Sequence, residues 1–109
     1  MTRYTIAVER RAEDDLNEIA EYIAGHDSVE RAVDVLTKIE RSFGALETFP
    51  NRGVHPKELL EYGNRDFREV YFKPYRIIYR VLDREAVIVL IADDRRDMQS
   101  LLTRRLLGA

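Results

Sequence analysis

Between Phe67 and Arg96 the chain reads FREVYFKPYRIIYRVLDREAVIVLIADDRR, three short runs dense in Val, Ile, Tyr and Phe. Such side chains suit a pleated, half-buried surface. Two turn signals, Lys73-Pro74 and Leu82-Asp83-Arg84-Glu85, separate the runs. Three consecutive antiparallel strands are therefore expected, roughly over 65–72, 75–82 and 86–92. The last run, from Ala86 to Ala92, contains no polar residue. That requires a central strand or one buried on both faces. Arginines are threaded through this surface at Arg68, Arg76, Arg80, Arg95 and Arg96.

The preceding half has helical periodicity. Thr2 to Val8 alternates weakly and reads as a first strand at or near a sheet edge. Ala12, Leu16, Ile19, Ala20 and Ile23 then recur at helical spacing, with Glu13, Asp14 and Asp15 at the positive end of the helix dipole and Gly25 as the expected stop. Ser28 is the expected N-cap of a second helix whose stripe is Ala32, Val33, Leu36, Ile39, Phe43 and Leu46, closed by Phe49-Pro50. The short link makes the pair an antiparallel hairpin, and its stripes need the sheet as partner. Turn formers fill 51–64, with one short helical turn expected at 57–60. Asp93 or Asp94 is expected to cap a last helix carrying Met98, Leu101, Leu102, Leu106 and Leu107. Grouped helices followed by grouped strands make an α+β fold: N-terminal strand, helical hairpin, three-stranded antiparallel meander and C-terminal helix, in a single domain over 1–109. The expected core is Leu16, Ile19, Ile23, Leu36, Ile39, Phe43, Val87, Val89 and Ile91.

Composition removes several chemistries. With no cysteine there is no disulfide, zinc-thiolate or thiol nucleophile, and His26 and His55 alone do not make a multi-histidine metal site. No metal or cofactor is expected. No apolar run approaches the about 20 residues of a membrane span, and the N-terminus lacks a signal-peptide core, so a cytoplasmic protein with no membrane partner is expected. The net charge of −2 hides an asymmetry. Residues 1–50 carry 6 Lys and Arg against 11 Asp and Glu, a net of −5, whereas residues 51–109 carry 12 against 9, a net of +3. An acidic face and a basic face follow.

Four stretches, in this order and spacing, resemble the RelE/ParE superfamily of bacterial toxins from type II toxin–antitoxin systems: ERRAEDDLNEIAEYI, FPNRGVHPKEL, FREVYFKPYRIIYRV and IADDRRDM. The resemblance covers nearly the whole chain. It implies a growth-arresting toxin of plasmid-stabilisation type, neutralised by a cognate antitoxin that wraps it with an extended, partly helical segment. Operator DNA would be met only through that antitoxin. Two activities occur in the family. ParE-like members inhibit DNA gyrase; RelE-like members are endoribonucleases that cut mRNA on the ribosome.

The resemblance gives Arg68, Arg76 and Arg96 catalytic roles if the chain is RelE-like. Arg76 would hold the scissile phosphate, for which a guanidinium fork is suited. Arg96 would sit near the leaving oxygen. Two positions depart from the pattern: Val70 stands where a second basic residue is expected, and Leu102 where a late tyrosine is. RNA cleavage needs groups that take and give protons, and arginine stays charged. Tyr71, Tyr75, Tyr79 or His55 could substitute, yet packing roles for the tyrosines and a surface position for His55 are the better expectation. Asp93, Asp94 and Asp97 read as caps and ion-pair partners of Arg95 and Arg96 rather than as metal ligands. The favoured reading is a gyrase inhibitor whose target- or antitoxin-binding surface joins Arg68, Arg76, Arg80, Arg95 and Arg96 to Leu101 and Leu102 of the last helix. A ribonuclease is the alternative, and a nucleic-acid-binding module without toxicity the third reading.

Overall fold

The computed structural model describes residues 3–108. The elements are β1 (Thr5–Val8), α1 (Arg10–His26), α2 (Val29–Gly44) with a 3-10 turn at Ala45–Glu47, α3 (Lys57–Leu60), β2 (Arg68–Phe72), β3 (Tyr75–Leu82), β4 (Glu85–Asp93) and α4 (Met98–Leu106). This is the expected α+β order. The sheet runs β1-β4-β3-β2, with β1 at one edge, parallel to β4, and the other pairs antiparallel. The expected start of the first strand at Thr2 lies outside the described residues.

Local signals account for most boundaries. Ser28 Oγ accepts from Arg31 N–H at 3.0 Å, so the cap of α2 is where a hydroxyl before a helical run should place it. Gly25 does not stop α1, which continues to His26; a single glycine in the last turn costs at most about 1 kcal/mol. There Tyr22 and His26 stack, centroids 4.1 Å apart. The cap of α4 is Asp97, bound to Ser100 N–H, and not Asp93 or Asp94.

The sheet is covered on both faces. Val35, Ile39, Phe43 and Leu46 of the hairpin and its following turn pack with Ile77, Tyr79, Ile88 and Ile91. On the opposite face Leu59, Phe67, Met98, Leu101 and Leu102 cover Ile78, Val89, Leu90 and Ala92. β4 is therefore apolar throughout because it is central and covered twice. A bulge breaks its alternation: Ile78 pairs with Leu90 and Tyr79 with Ile88, leaving Val89 as the extra residue. Val89 and Leu90 consequently both join the second core.

Two expectations are corrected here. Leu101 and Leu102 are buried rather than displayed, because the second face of the sheet needs that apolar bulk as cover. In α2 the stripe is centred on Val35, so Val33 is 60% exposed and Leu36 half-buried. Of the expected core, Ile39, Phe43, Val89 and Ile91 are buried, whereas Leu16, Ile19, Ile23 and Val87 are half-buried. Among the described residues no helix is long and apolar enough to cross a membrane.

Ile39→Ala and Leu102→Ala, one from each core, should each lower the unfolding free energy by about 2–5 kcal/mol in urea titrations with an unchanged slope. Val33→Ala should shift it by no more than about 0.5 kcal/mol.

Candidate functional site

Arg76 lies on β3, beside Ile78 on the second face of the sheet, where α3 and β2 approach it. Its Nη1 and Nη2 donate to the two oxygens of Glu58, each at 2.8 Å, and its Nε donates to Glu69 Oε1 at 2.7 Å. Nη2 also lies 2.6 Å from the same Glu69 oxygen. Tyr71 OH donates to the other Glu69 oxygen at 3.3 Å. Arg76 is 4% exposed, so the expected surface cation is instead an internal one, with each of its three guanidinium nitrogens engaged.

The electrostatics follow from one cation shared by two acids. The bidentate bond to Arg76 holds the Glu58 carboxyl below the usual carboxylate range. Burial pushes Glu69 above it, against the pull of Arg76. The two carboxylates raise the pKa of Arg76 further. Over this triad opens a pocket of about 450 Å³ whose further lining includes Lys57, Glu61, Tyr71, Asp94, Arg96 and Asp97. Its lining carries four acids, Glu58, Glu61, Asp94 and Asp97, against three cations, Lys57, Arg76 and Arg96. An acidic excess disfavours a phosphate.

The tyrosines are poorly suited to proton transfer. Burial raises the hydroxyl pKa of Tyr71, Tyr75 and Tyr79. Tyr79 is wholly buried and structural: its OH donates to Pro50 O at 2.7 Å and accepts from Gly53 N–H at 3.0 Å. A Cβ on Gly53 would lie 2.6 Å from that hydroxyl and 2.7 Å from Glu69 O, so the loop requires glycine there. His55 is half-buried, its Nδ1 3.0 Å from Phe67 O, rather than free on the surface.

The remaining arginines are dispersed. Arg68 Nη1 clasps the carbonyls of Asn51 (3.2 Å) and Gly53 (2.8 Å), away from the Arg76 pocket. Arg80 lies over the Phe67 ring, 5.3 Å from its centroid. Arg95 is exposed and pairs with Asp93, as expected of that acid. Arg96 is exposed, and among the described residues no carboxylate pairs with it. Arg76 and Arg96 thus share a pocket, while Arg68 and Arg80 do not reach it. The single surface expected from Arg68, Arg76, Arg80, Arg95, Arg96, Leu101 and Leu102 is not formed.

A second depression, about 400 Å³, joins α1 to the sheet; Ile19, Tyr22, Ile23, Tyr75, Arg95 and Arg96 are among its lining. It exists because β1 pairs with β4 only as far as Ile88. Beyond that point side chains cover the strand edge. Asp15 Oδ2 accepts from Ile91 N–H at 3.0 Å, and Arg105 Nη2 donates to Val89 O at 3.1 Å. Asp15 and Arg105 bind each other at 3.0 and 3.1 Å. Neither residue, nor Glu58 or Glu69, stands out in the sequence. Asp15 looks like one more acid at a helix start and Arg105 like one more cation at a helix end.

The triad gives a pH signature. Glu58, depressed in the fold, contributes stability above about pH 4.3 that is lost as pH falls through its lower folded value. Glu69, raised in the fold, contributes stability at low pH that is lost as pH rises through its folded value. Glu58→Gln should therefore cost about 3–5 kcal/mol at pH 7, and Glu69→Gln clearly less. Between pH 7 and pH 5 the stability difference between wild type and Glu69→Gln should move in favour of the wild type; movement the other way in urea titrations would contradict the assignment.

Residues 6–98 match the family model of the ParE toxin of type II toxin–antitoxin systems, parDE. Solved structures that resemble the chain include the following three. The chromosomal ParDE toxin–antitoxin system of P. aeruginosa superposes with a TM-score of 0.71 at 21% identity, covering 84% of this chain and 96% of that one. The toxin–antitoxin complex RelBE2 of Mycobacterium tuberculosis gives 0.56 at 22% identity, covering 84% and 99%. A mutant of the E. coli toxin RelE in the free state gives 0.62 at 9% identity, covering 98% of each chain. At such identities these neighbours show the fold alone. No curated protein is significantly similar in sequence. The family match spans most of the chain, which therefore belongs to the ParE toxin family of type II toxin–antitoxin systems.

Proposed function

We propose that this toxin arrests growth by binding a protein target, DNA gyrase, rather than by cutting mRNA. One observation carries the reading: Arg76, the residue that would hold a scissile phosphate, is closed off by Glu58 and Glu69 in an acidic pocket. Stabilising an anionic transition state needs donors left free for it. Proton transfer needs groups that titrate near working pH; the tyrosines here are shifted away from it, and Glu69, which burial shifts toward it, is engaged by Arg76 and Tyr71. Val70 and Leu102, in place of the basic residue and the tyrosine, point the same way. A ribosome-dependent endoribonuclease is the second reading, favoured by the shared pocket of Tyr71, Arg76 and Arg96.

We infer that the cognate antitoxin docks in the depression between α1 and β4. Ile19, Ile23, Tyr22 and Tyr75 offer apolar contact, and Arg95 and Arg96 offer charge to acidic residues of its segment. No direct contact with operator DNA is assigned, and the site of action is the cytoplasm.

The purified chain should inhibit gyrase supercoiling and leave mRNA on programmed ribosomes intact. Codon-positioned mRNA cleavage that disappears in Arg96→Ala would overturn the proposal. Arg96 is the appropriate probe because it is exposed and carries no buried network.

A further inference from the structure

The end of the β2–β3 hairpin remote from its Lys73-Pro74 turn gathers cations. Arg68 opens β2 opposite Tyr79, and Arg80 follows Tyr79 on β3; the two side chains leave opposite faces of the sheet and both line the pocket at its end. Together with Arg65 they line a pocket of about 270 Å³, completed by Asn51, Asp66 and Val81. Among the described residues no carboxylate forms a salt bridge with any of the three, whereas Arg95 and Arg105 each have one and Arg76 has two.

Two of these guanidinium groups are fixed in place. Arg68 is anchored through Nη1 alone, on the carbonyls of Asn51 and Gly53, which leaves its Nε and Nη2 without a protein acceptor among the described residues. Arg80 is laid on the Phe67 ring, an arrangement that holds a cation by its face. Its Nε is shielded from solvent and has no hydrogen-bond partner among the described residues. A charged donor without an acceptor is costly, and a forked donor set fixed in advance loses little freedom when an oxyanion arrives.

We propose that this pocket is a receptor for a carboxylate on an acidic segment of a partner protein. The inference goes beyond the choice of toxic target and does not depend on it. Guanidinium forks bind carboxylate and phosphate alike. Charge decides between the sources. Nucleic-acid affinity comes from many phosphates neutralised along an extended basic surface. This protein carries a net charge of −2, with −5 on residues 1–50, and the pocket is lined by three cations and one acid, Asp66. A net charge of −2 does not supply such a surface, whereas a carboxylate needs only the pocket's own arginines.

The test is fluorescence anisotropy with a labelled hexaglutamate peptide and a labelled octathymidylate as separate probes. The peptide should bind in a salt-sensitive manner, about tenfold more weakly to Arg80→Met and to Arg65→Ala, and unchanged to Arg104→Ala on exposed α4 surface. Methionine keeps the contact with Phe67 while removing the charge, and an unaltered circular dichroism spectrum checks the fold. Arg65 is exposed, so its substitution keeps the test decisive if Arg80→Met does not fold. Octathymidylate binding as tightly as the peptide would overturn the proposal in favour of a nucleic-acid site. No binding of either probe, or peptide binding indifferent to both substitutions, would remove the anion site altogether.

Discussion

A guanidinium buried between two carboxylates binds three elements of this fold to one another. Glu58 comes from α3, Glu69 from β2 and Arg76 from β3, and the three side chains are each buried. Without the acids the cation could not stay out of water; without the cation the acids could not lie so close. The short helix α3, only Lys57–Leu60, is held to the sheet by this bond as well as by Leu59. The loop from Pro50 to Gly53 is tied separately, by Tyr79 and Arg68. The same chemistry that stabilises the connection between hairpin and meander occupies Arg76, one of the three cations that the ribonuclease reading would use.

The second organising constraint is the exposure of β4 beyond the end of β1. A short edge strand leaves backbone groups at Val89 and Ile91 without a strand partner, and such groups must be satisfied or solvated. Asp15 and Arg105 satisfy them and each other, joining α1 to α4 across the edge. What remains open is apolar at its floor and charged at its rim, a composition suited to a protein segment. The bulge at Val89 belongs to the same region. It turns two successive residues into the second core and so deepens the demand for Leu101 and Leu102 as cover.

The sequence was most legible where a signal is local. The density of β-branched and aromatic residues between Pro74 and Asp83 gives β3 its bounds, Tyr75–Leu82, and the hydroxyl of Ser28 marks the start of α2. The short helix at 57–60 was legible from its flanking turn formers. What failed was long-range. Alternation on β3 separates Arg76 from Tyr75 and Ile77, but it does not say which face a later element covers. The partners of Arg76 lie 18 and 7 residues away, and those of Asp15 lie 76 and 90 residues away. Leu101 and Leu102 looked surplus because the second face of the sheet was not counted as needing cover.

The central claim is that Arg76 holds the fold together and takes no part in the toxic reaction. Buried ion triads can often be replaced by apolar residues of similar volume without loss of stability. The triple substitution Glu58→Met, Glu69→Leu, Arg76→Met removes every charge of the triad at once and leaves none unpaired. Growth arrest on induction is the direct measurement, with folding confirmed by circular dichroism and thermal unfolding. The account predicts a folded protein that still arrests growth. A protein that folds as stably as the wild type but no longer arrests growth would contradict it and return Arg76 to the functional site.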